Sequence, residues 1–185
     1  MKSTTAYRVS VPKFDRMAAA EFFGDDRVEL LGGILSTTPT GPQRDYAVTR
    51  LGNGLKDLLH RDRWTVREEK PLQLGRFWKP LPDLAVVRGP AANYAHRTPE
   101  RLDVALLVEV ADTSYPLDTG KKLRCYQRCG VPAYWVVDLN RRRVEVREMS
   151  ARGLQQSTPF LEEAEVPLVL DGREYGRIAV KDLLV

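Results

Sequence analysis

Residues 104–111 read Val-Ala-Leu-Leu-Val-Glu-Val-Ala, a run of eight that is apolar except for Glu109. Such a run is expected to be a strand buried on both faces. A carboxylate in its middle is costly unless a cation, a metal ion or hydrogen bonds compensate it. Strand alternation places Glu109 on the face of Leu107 and Ala111. The chain must therefore bring a partner to that face. Two nearby stretches offer one. Pro82-Asp83 opens a second apolar strand, Leu84-Ala-Val-Val87, and Lys122 follows on a helix just after the Glu109 strand.

The chain of 185 residues is long enough for a substantial core and is expected to form one domain over 1–185. With 43% hydrophobic and 29% charged residues it falls in the range of soluble globular proteins. No apolar run approaches the roughly 20 residues that span a bilayer. The first residues, Met1-Lys-Ser-Thr-Thr-Ala-Tyr-Arg8, lack the apolar centre of a signal peptide, so a cytoplasmic location is expected. Cys125 and Cys129 lie four apart on one expected helix and make no disulfide framework. With His60 and His96 they fit no zinc-ligand spacing. The net charge of +4 is compatible with a nucleic-acid partner and equally with an ordinary soluble surface. Arginines cluster at Arg61, Arg63 and Arg67, and at Arg141-Arg142-Arg143 with Arg147. Solvated surface and phosphate contact are both consistent with them.

Periodicity gives the order of elements. Residues 1–10 read as an extended arm and Lys13–Phe23 as a helix. Arg27–Thr38 reads as a hairpin turning at Gly32-Gly33. Thr40-Gly41-Pro42 marks the start of a helix to Leu59, inside which Gly52 and Gly54 suggest close packing against a sheet. Trp64–Leu74 and Pro82–Val87 read as strands separated by a turn at Gly75–Leu81, with a long loop from Arg88 to Leu102. After the strand Val104–Ala111 come a helix from Leu117 to Cys129 capped by Gly130, a buried strand Ala133–Asp138, and an alternating strand Arg143–Arg147. Residues 160–185 are expected to give short strands around Asp171-Gly172, a hairpin signal, and Ile178-Ala-Val-Lys-Asp-Leu-Leu184 to close the sheet with a short terminal helix. The fold class is α/β, a mixed central sheet flanked by helices, with an extra N-terminal hairpin and extra C-terminal strands.

Asp83 and Glu109 sit on successive strands, which usually neighbour one another. Converging carboxylates suit Mg²⁺ or Mn²⁺, which prefer oxygen ligands, and Val110 could add its backbone carbonyl. Such a metal would activate a water and offset charge on a scissile phosphate. Lys122, on one helix face with Asp118 and Tyr126, would add a cation. Each residue alone also has a plain structural reading. Glu109 can pair with a buried lysine or arginine, Asp83 can mark a turn into a strand, Lys122 can be a solvated helix residue beside Lys121, and Glu29 can be an exposed strand residue.

The ordered set resembles the Uma-two family of endonucleases, within the PD-(D/E)XK nuclease superfamily, from about Phe14 to Arg147. The markers are Arg27-Val-Glu-Leu-Leu-Gly-Gly-Ile34, Pro82-Asp83-Leu-Ala-Val-Val87 and Leu107-Val-Glu-Val110. They continue with Asp118-Thr-Gly-Lys-Lys122-Leu-Arg-Cys-Tyr126 and Gly130-Val-Pro-Ala-Tyr-Trp-Val-Val-Asp138. The resemblance implies a restriction-endonuclease-like fold and Mg²⁺-dependent hydrolysis of DNA phosphodiesters, with Mn²⁺ as a substitute. Asp83 and Glu109 would then be metal ligands, Lys122 the catalytic lysine and Glu29 an additional acid. The superfamily's lysine two positions after the second acid is Ala111 here, and the resembled family supplies it from the helix. The chain departs from the family at Arg44, where histidine is frequent, and at Ala133, where glutamate is frequent.

DNA as substrate and a homodimer are expected, since two copies most simply cut two strands. Two other readings stay open. One is a catalytically inactive module of the same fold that binds nucleic acid or a protein partner. The other is a carboxylate-pair hydrolase of another kind, such as a glycosidase.

Overall fold

The computed structural model describes residues 6–37, 41–150 and 153–185. Residues 1–5 of the expected arm, Thr38 of the hairpin and Thr40 of the helix start lie outside them. In chain order the elements begin with helix α1 (Val11–Ala19), strands β1 (Val28–Leu31) and β2 (Ile34–Thr37), and helix α2 (Pro42–Leu58). Strands β3 (Trp64–Glu68), β4 (Trp78–Lys79), β5 (Leu84–Arg88) and β6 (Val104–Ala111) follow. A helical stretch then runs through α3 (Tyr115–Leu117), a π-helical segment (Asp118–Lys122) and α4 (Leu123–Arg128). The chain ends with β7 (Ala133–Asp138), β8 (Arg143–Ser150), β9 (Gly153–Leu161), β10 (Glu165–Leu170), β11 (Arg173–Ala179) and a short 3₁₀ turn, Val180–Leu183.

Six strands form the central sheet in the order β3-β5-β6-β7-β8-β9. The β6–β7 pair is parallel and the other pairs are antiparallel. All eight side chains of β6 are buried. One face of the sheet carries Leu84, Val86, Leu106, Val108 and Trp135. It is covered by α2, through Ala47, Val48, Leu51 and Leu55, and by the β10–β11 hairpin, through Val166, Leu168 and Ile178. The other face carries Ala85, Leu107, Ala111, Tyr134 and Val136, and packs against Leu123, Cys125 and Tyr126 of α4.

The register places the two acids. Ala85 lies opposite Leu107 and Leu84 opposite Val108, so the next step along the ladder sets Asp83 against Glu109. Directly opposed residues of an antiparallel pair point to the same face, with Cβ atoms about 5 Å apart. That face is the one covered by the helical stretch carrying Lys122.

Several boundaries differ from the sequence reading. The first helix stops at Ala19 rather than Phe23. The strand expected over Trp64–Leu74 ends at Glu68, because Glu69 takes a positive φ of 51° and Pro71 cannot continue a ladder. The turn expected over Gly75–Leu81 contains β4, which pairs with β1 through Leu30–Lys79 and Leu31–Trp78. The N-terminal hairpin thereby becomes a three-stranded sheet, β2-β1-β4. Strand β9 lies where no strand was expected, while the hairpin expected at Asp171-Gly172 is β10–β11, which forms its own two-stranded sheet, so the chain from Ile178 does not close the central one.

Candidate functional site

Four carboxylates and two cations meet at the end of β5 and β6, and each is at least nine-tenths buried: Glu29, Asp83, Glu109, Asp118, Arg44 and Lys122. Each arrives from a different piece of local structure. Asp83 stands just ahead of β5, where its Oδ2 accepts the Val110 N–H at 2.6 Å. Glu109 comes from β6, and its Oε1 accepts the Tyr126 hydroxyl from α4 at 2.8 Å. Glu29 comes from β1, where its Oε2 accepts the Leu81 N–H at 3.1 Å. The N-terminal sheet is thereby tied to the segment that precedes Asp83.

Lys122 binds these groups together. Its Nζ lies 3.0 Å from Glu109 Oε2, 3.4 Å from Glu29 Oε1 and 3.7 Å from Asp118 Oδ1. Asp118 and Lys122 are the two ends of the π-helical segment, a widened turn often found at functional positions. Within it the spacing of four residues carries both side chains to the buried face. The Ser114 hydroxyl donates to Asp118 Oδ2 at 2.6 Å, while the buried Oδ1 of Asp118 has no hydrogen-bond partner.

Arg44, in the first turn of α2, faces the same cluster. Its Nη2 is paired with Asp83 Oδ1, and its Nη1 lies 3.0 Å from Glu69 Oε1. In the sequence Arg44 is marked only as a departure from a family pattern, and Asp118 only as sharing the Lys122 face. Neither was singled out as a member of the buried cluster. The spacing from Ser114 to Asp118 to Lys122, four residues at each step, was the available signal.

Burial raises the carboxyls of Asp83, Glu109 and Asp118 above the usual carboxylate range. Arg44 and the Val110 N–H oppose the rise at Asp83, and Lys122 opposes it at Glu109. Asp118 reaches about 6. Burial alone would lower the Lys122 ammonium. Glu109, Glu29, Asp118 and Asp83 outweigh it and hold the lysine protonated.

The donor set fits a small hard cation. Four carboxylates face two cations, which leaves two negative charges uncompensated when all are ionised. The donors are oxygens, the preference of Mg²⁺ and Mn²⁺. The space between Glu29, Arg44, Asp83, Glu109, Asp118 and Lys122 measures about 20 Å³, room for one water-sized sphere. Among the described residues no three acidic, histidine or cysteine side chains are set around one point as ligands. In this arrangement Arg44 and Lys122 take up the carboxylate oxygens instead. A larger cavity of about 560 Å³ opens beside the cluster, lined by Gly41, Arg44, Val110, Asp112 and Ser114 among others.

Neither arginine cluster contributes a side chain to this group of six. Arg141 pairs with Asp138, Arg142 with Glu162, and Arg143 and Arg147 share Glu145, so each arginine of the second cluster has an acidic partner within the protein. Arg61 and Arg63 are exposed just beyond the C-terminal end of α2. The 17 residues of that helix, about 25 Å at the usual rise, separate them from Arg44 at its start.

The mixed central sheet with flanking helices has the fold of a known structure. It matches the crystal structure titled a "putative nuclease belonging to DUF820" from Anabaena variabilis ATCC 29413, with a TM-score of 0.66 over 84% of this chain and 88% of that one, at 15% identity. The sequence profile of the Uma2 family, described as "Putative restriction endonuclease", matches residues 11–180, and the chain belongs to that family. No curated protein matches the chain. That family description supports a hydrolase acting on nucleic acid.

Proposed function

We propose that this protein is a divalent-metal-dependent endonuclease that hydrolyses DNA phosphodiester bonds. The observation that carries the reading is the buried excess of negative charge. Glu29, Asp83, Glu109 and Asp118 surround only Arg44 and Lys122. Removing that many ions from water is costly unless counter-charge arrives. In the metal-free cluster burial favours the protonated forms of Asp83, Glu109 and Asp118, and a divalent cation would supply positive charge in place of those protons.

Asp83 and Glu109 would hold the ion, with the backbone carbonyl of Val110 as a further oxygen donor. When bound, such an ion supplies an acidified water and offsets charge on the phosphoryl oxygens. Lys122 keeps its proton and places an ammonium beside the reacting phosphate, stabilising the charge that develops there. Glu29 also contacts Lys122, and Tyr126 holds Glu109 through its hydroxyl. The adjoining cavity gives a sugar-phosphate backbone access to the cluster. Two copies acting on opposite strands would cut a duplex.

The test is cleavage of supercoiled plasmid in Mg²⁺ by the wild type, Asp83→Asn and Glu109→Gln. Loss of at least about 10²–10³-fold in rate in both variants is expected, with circular dichroism unchanged. Full activity in either variant would remove the proposal. The pairing of Arg44 with Asp83 favours a second reading, a non-catalytic module of the same fold. That reading predicts salt-sensitive DNA binding with no turnover in any divalent metal.

A further inference from the structure

We infer that Arg44 is a resident counter-cation of Asp83 which a divalent metal ion must displace, so that one guanidinium sets the metal affinity of the site. The inference rests on the reading of Asp83 as a metal ligand.

Asp83 has two oxygens and both are engaged. Oδ2 accepts the Val110 N–H at 2.6 Å, a contact that ties the start of β5 to β6. Oδ1 is covered by Arg44 Nη2. A metal arriving at Oδ1 would share one oxygen with a guanidinium. Two cations at that separation repel strongly where solvent is excluded, and Asp83 and Arg44 are only 1% and 7% exposed. A metal arriving at Oδ2 would instead compete with the backbone contact. Oδ1 is the position that can be freed without opening the sheet.

Arg44 has somewhere to go. Its Nη1 already lies 3.0 Å from Glu69 Oε1 and 3.3 Å from Asp45 Oδ1. Glu69 sits just past the end of β3, and its side chain is partly exposed. Release from Asp83 therefore leaves the guanidinium paired, and the exchange replaces one counter-ion of Asp83 by another. Lys122 occupies a different position: it contacts three carboxylates at once and belongs to the reaction in the proposed mechanism. Arg44 contacts one carboxylate of the cluster, and its helix forms a wall of the adjoining cavity.

The experiment is calorimetric titration of Mn²⁺ into the wild type, Arg44→Gln, Asp83→Asn and the double variant, with thermal melting of each in chelator and in Mn²⁺. Arg44→Gln is expected to bind Mn²⁺ at least tenfold more tightly than the wild type, and the double variant to lose that gain. In chelator Arg44→Gln should melt below the wild type, because Asp83 is left buried without a counter-charge. Mn²⁺ should then raise its midpoint by more degrees than it raises that of the wild type, a readout that holds even where the metal-free variant is partly unfolded. Arg44→Lys keeps the charge but loses the planar fork, and should fall between the two. Equal or weaker Mn²⁺ binding by Arg44→Gln, with wild-type binding abolished by Asp83→Asn, overturns the role of Arg44 and leaves the metal site standing. Absence of Mn²⁺ binding in every variant, with duplex DNA present as well as absent, overturns the metal site and the inference with it.

Discussion

At the residue scale the site is a problem of buried charge, and Asp118 reports on it. Its carboxyl is raised mainly by burial from an ordinary 3.8 to about 6, with Lys122 and the Ser114 hydroxyl opposing the rise. Between those two values the unfolded chain has lost the proton and the folded chain has kept it. Stability therefore falls as pH rises through that window, by about 3 kcal/mol at most. Asp118→Asn is expected to reduce the slope by this share, leaving the part that Asp83 and Glu109 contribute with the same sign, and urea melts of both proteins at about pH 4 and about pH 6.5 measure it. The residues that carry an unusual cost were legible in the sequence. Glu109 stood out because an acid inside an apolar strand demands a partner, and Lys122 stood out by its place on the next helix. The structure brings Glu29, Asp83, Glu109 and Lys122 together. Arg44 and Asp118 were harder to read, because an arginine and an aspartate near helix starts are common on solvated surfaces. Only the tertiary fold shows them to be buried.

At the element scale, what could be read depended on whether neighbours were needed to define the element. Strands β6 and β7 have the bounds expected from their apolar runs, since burial on both faces writes itself into composition. Strand β4 is two residues long and exists only because β1 pairs with it, so no local pattern marks it. The helix expected from Leu117 to Cys129 begins earlier, at Tyr115, and is interrupted by a π-helical turn, which hydrophobic spacing does not distinguish from α. The two glycines of α2 separate into different cases. A Cβ at Gly52 would lie 2.8 Å from Glu68 Oε1 and 3.4 Å from Leu84, so the helix does lie close to the sheet there. A Cβ at Gly54 would make an ordinary contact, 3.8 Å from Ile178. Gly54→Ala is therefore expected to stabilise the protein by about 0.5–1 kcal/mol, and Gly52→Ala to give no such gain, as measured by denaturant midpoints. At the hairpin turn, Gly32 and Gly33 have φ of 66° and 85°, the left-handed conformation that paired glycines predicted.

At the scale of the whole molecule, two sheets cooperate to build one charged centre. The N-terminal sheet contributes Glu29 and the central sheet contributes Asp83 and Glu109. The helical stretch between β6 and β7 contributes Asp118 and Lys122, and α2 contributes Arg44. Because every part carries a buried charge, the centre couples the stability of the fold to its counter-ions. A metal that binds the folded chain alone should raise its melting temperature, with a rise that grows as the logarithm of metal concentration above the dissociation constant. Strand order and the addition of β4 to the N-terminal sheet were not legible beforehand, since both depend on pairings between segments far apart in the chain. The measurement that reaches the central claim most directly is anomalous diffraction from crystals grown with Mn²⁺ and a short DNA duplex. The account predicts a single anomalous peak in contact with both Asp83 and Glu109, with Arg44 turned away from Asp83 toward Glu69. A cluster that stays metal-free, with Arg44 still on Asp83 while DNA is bound, would contradict it.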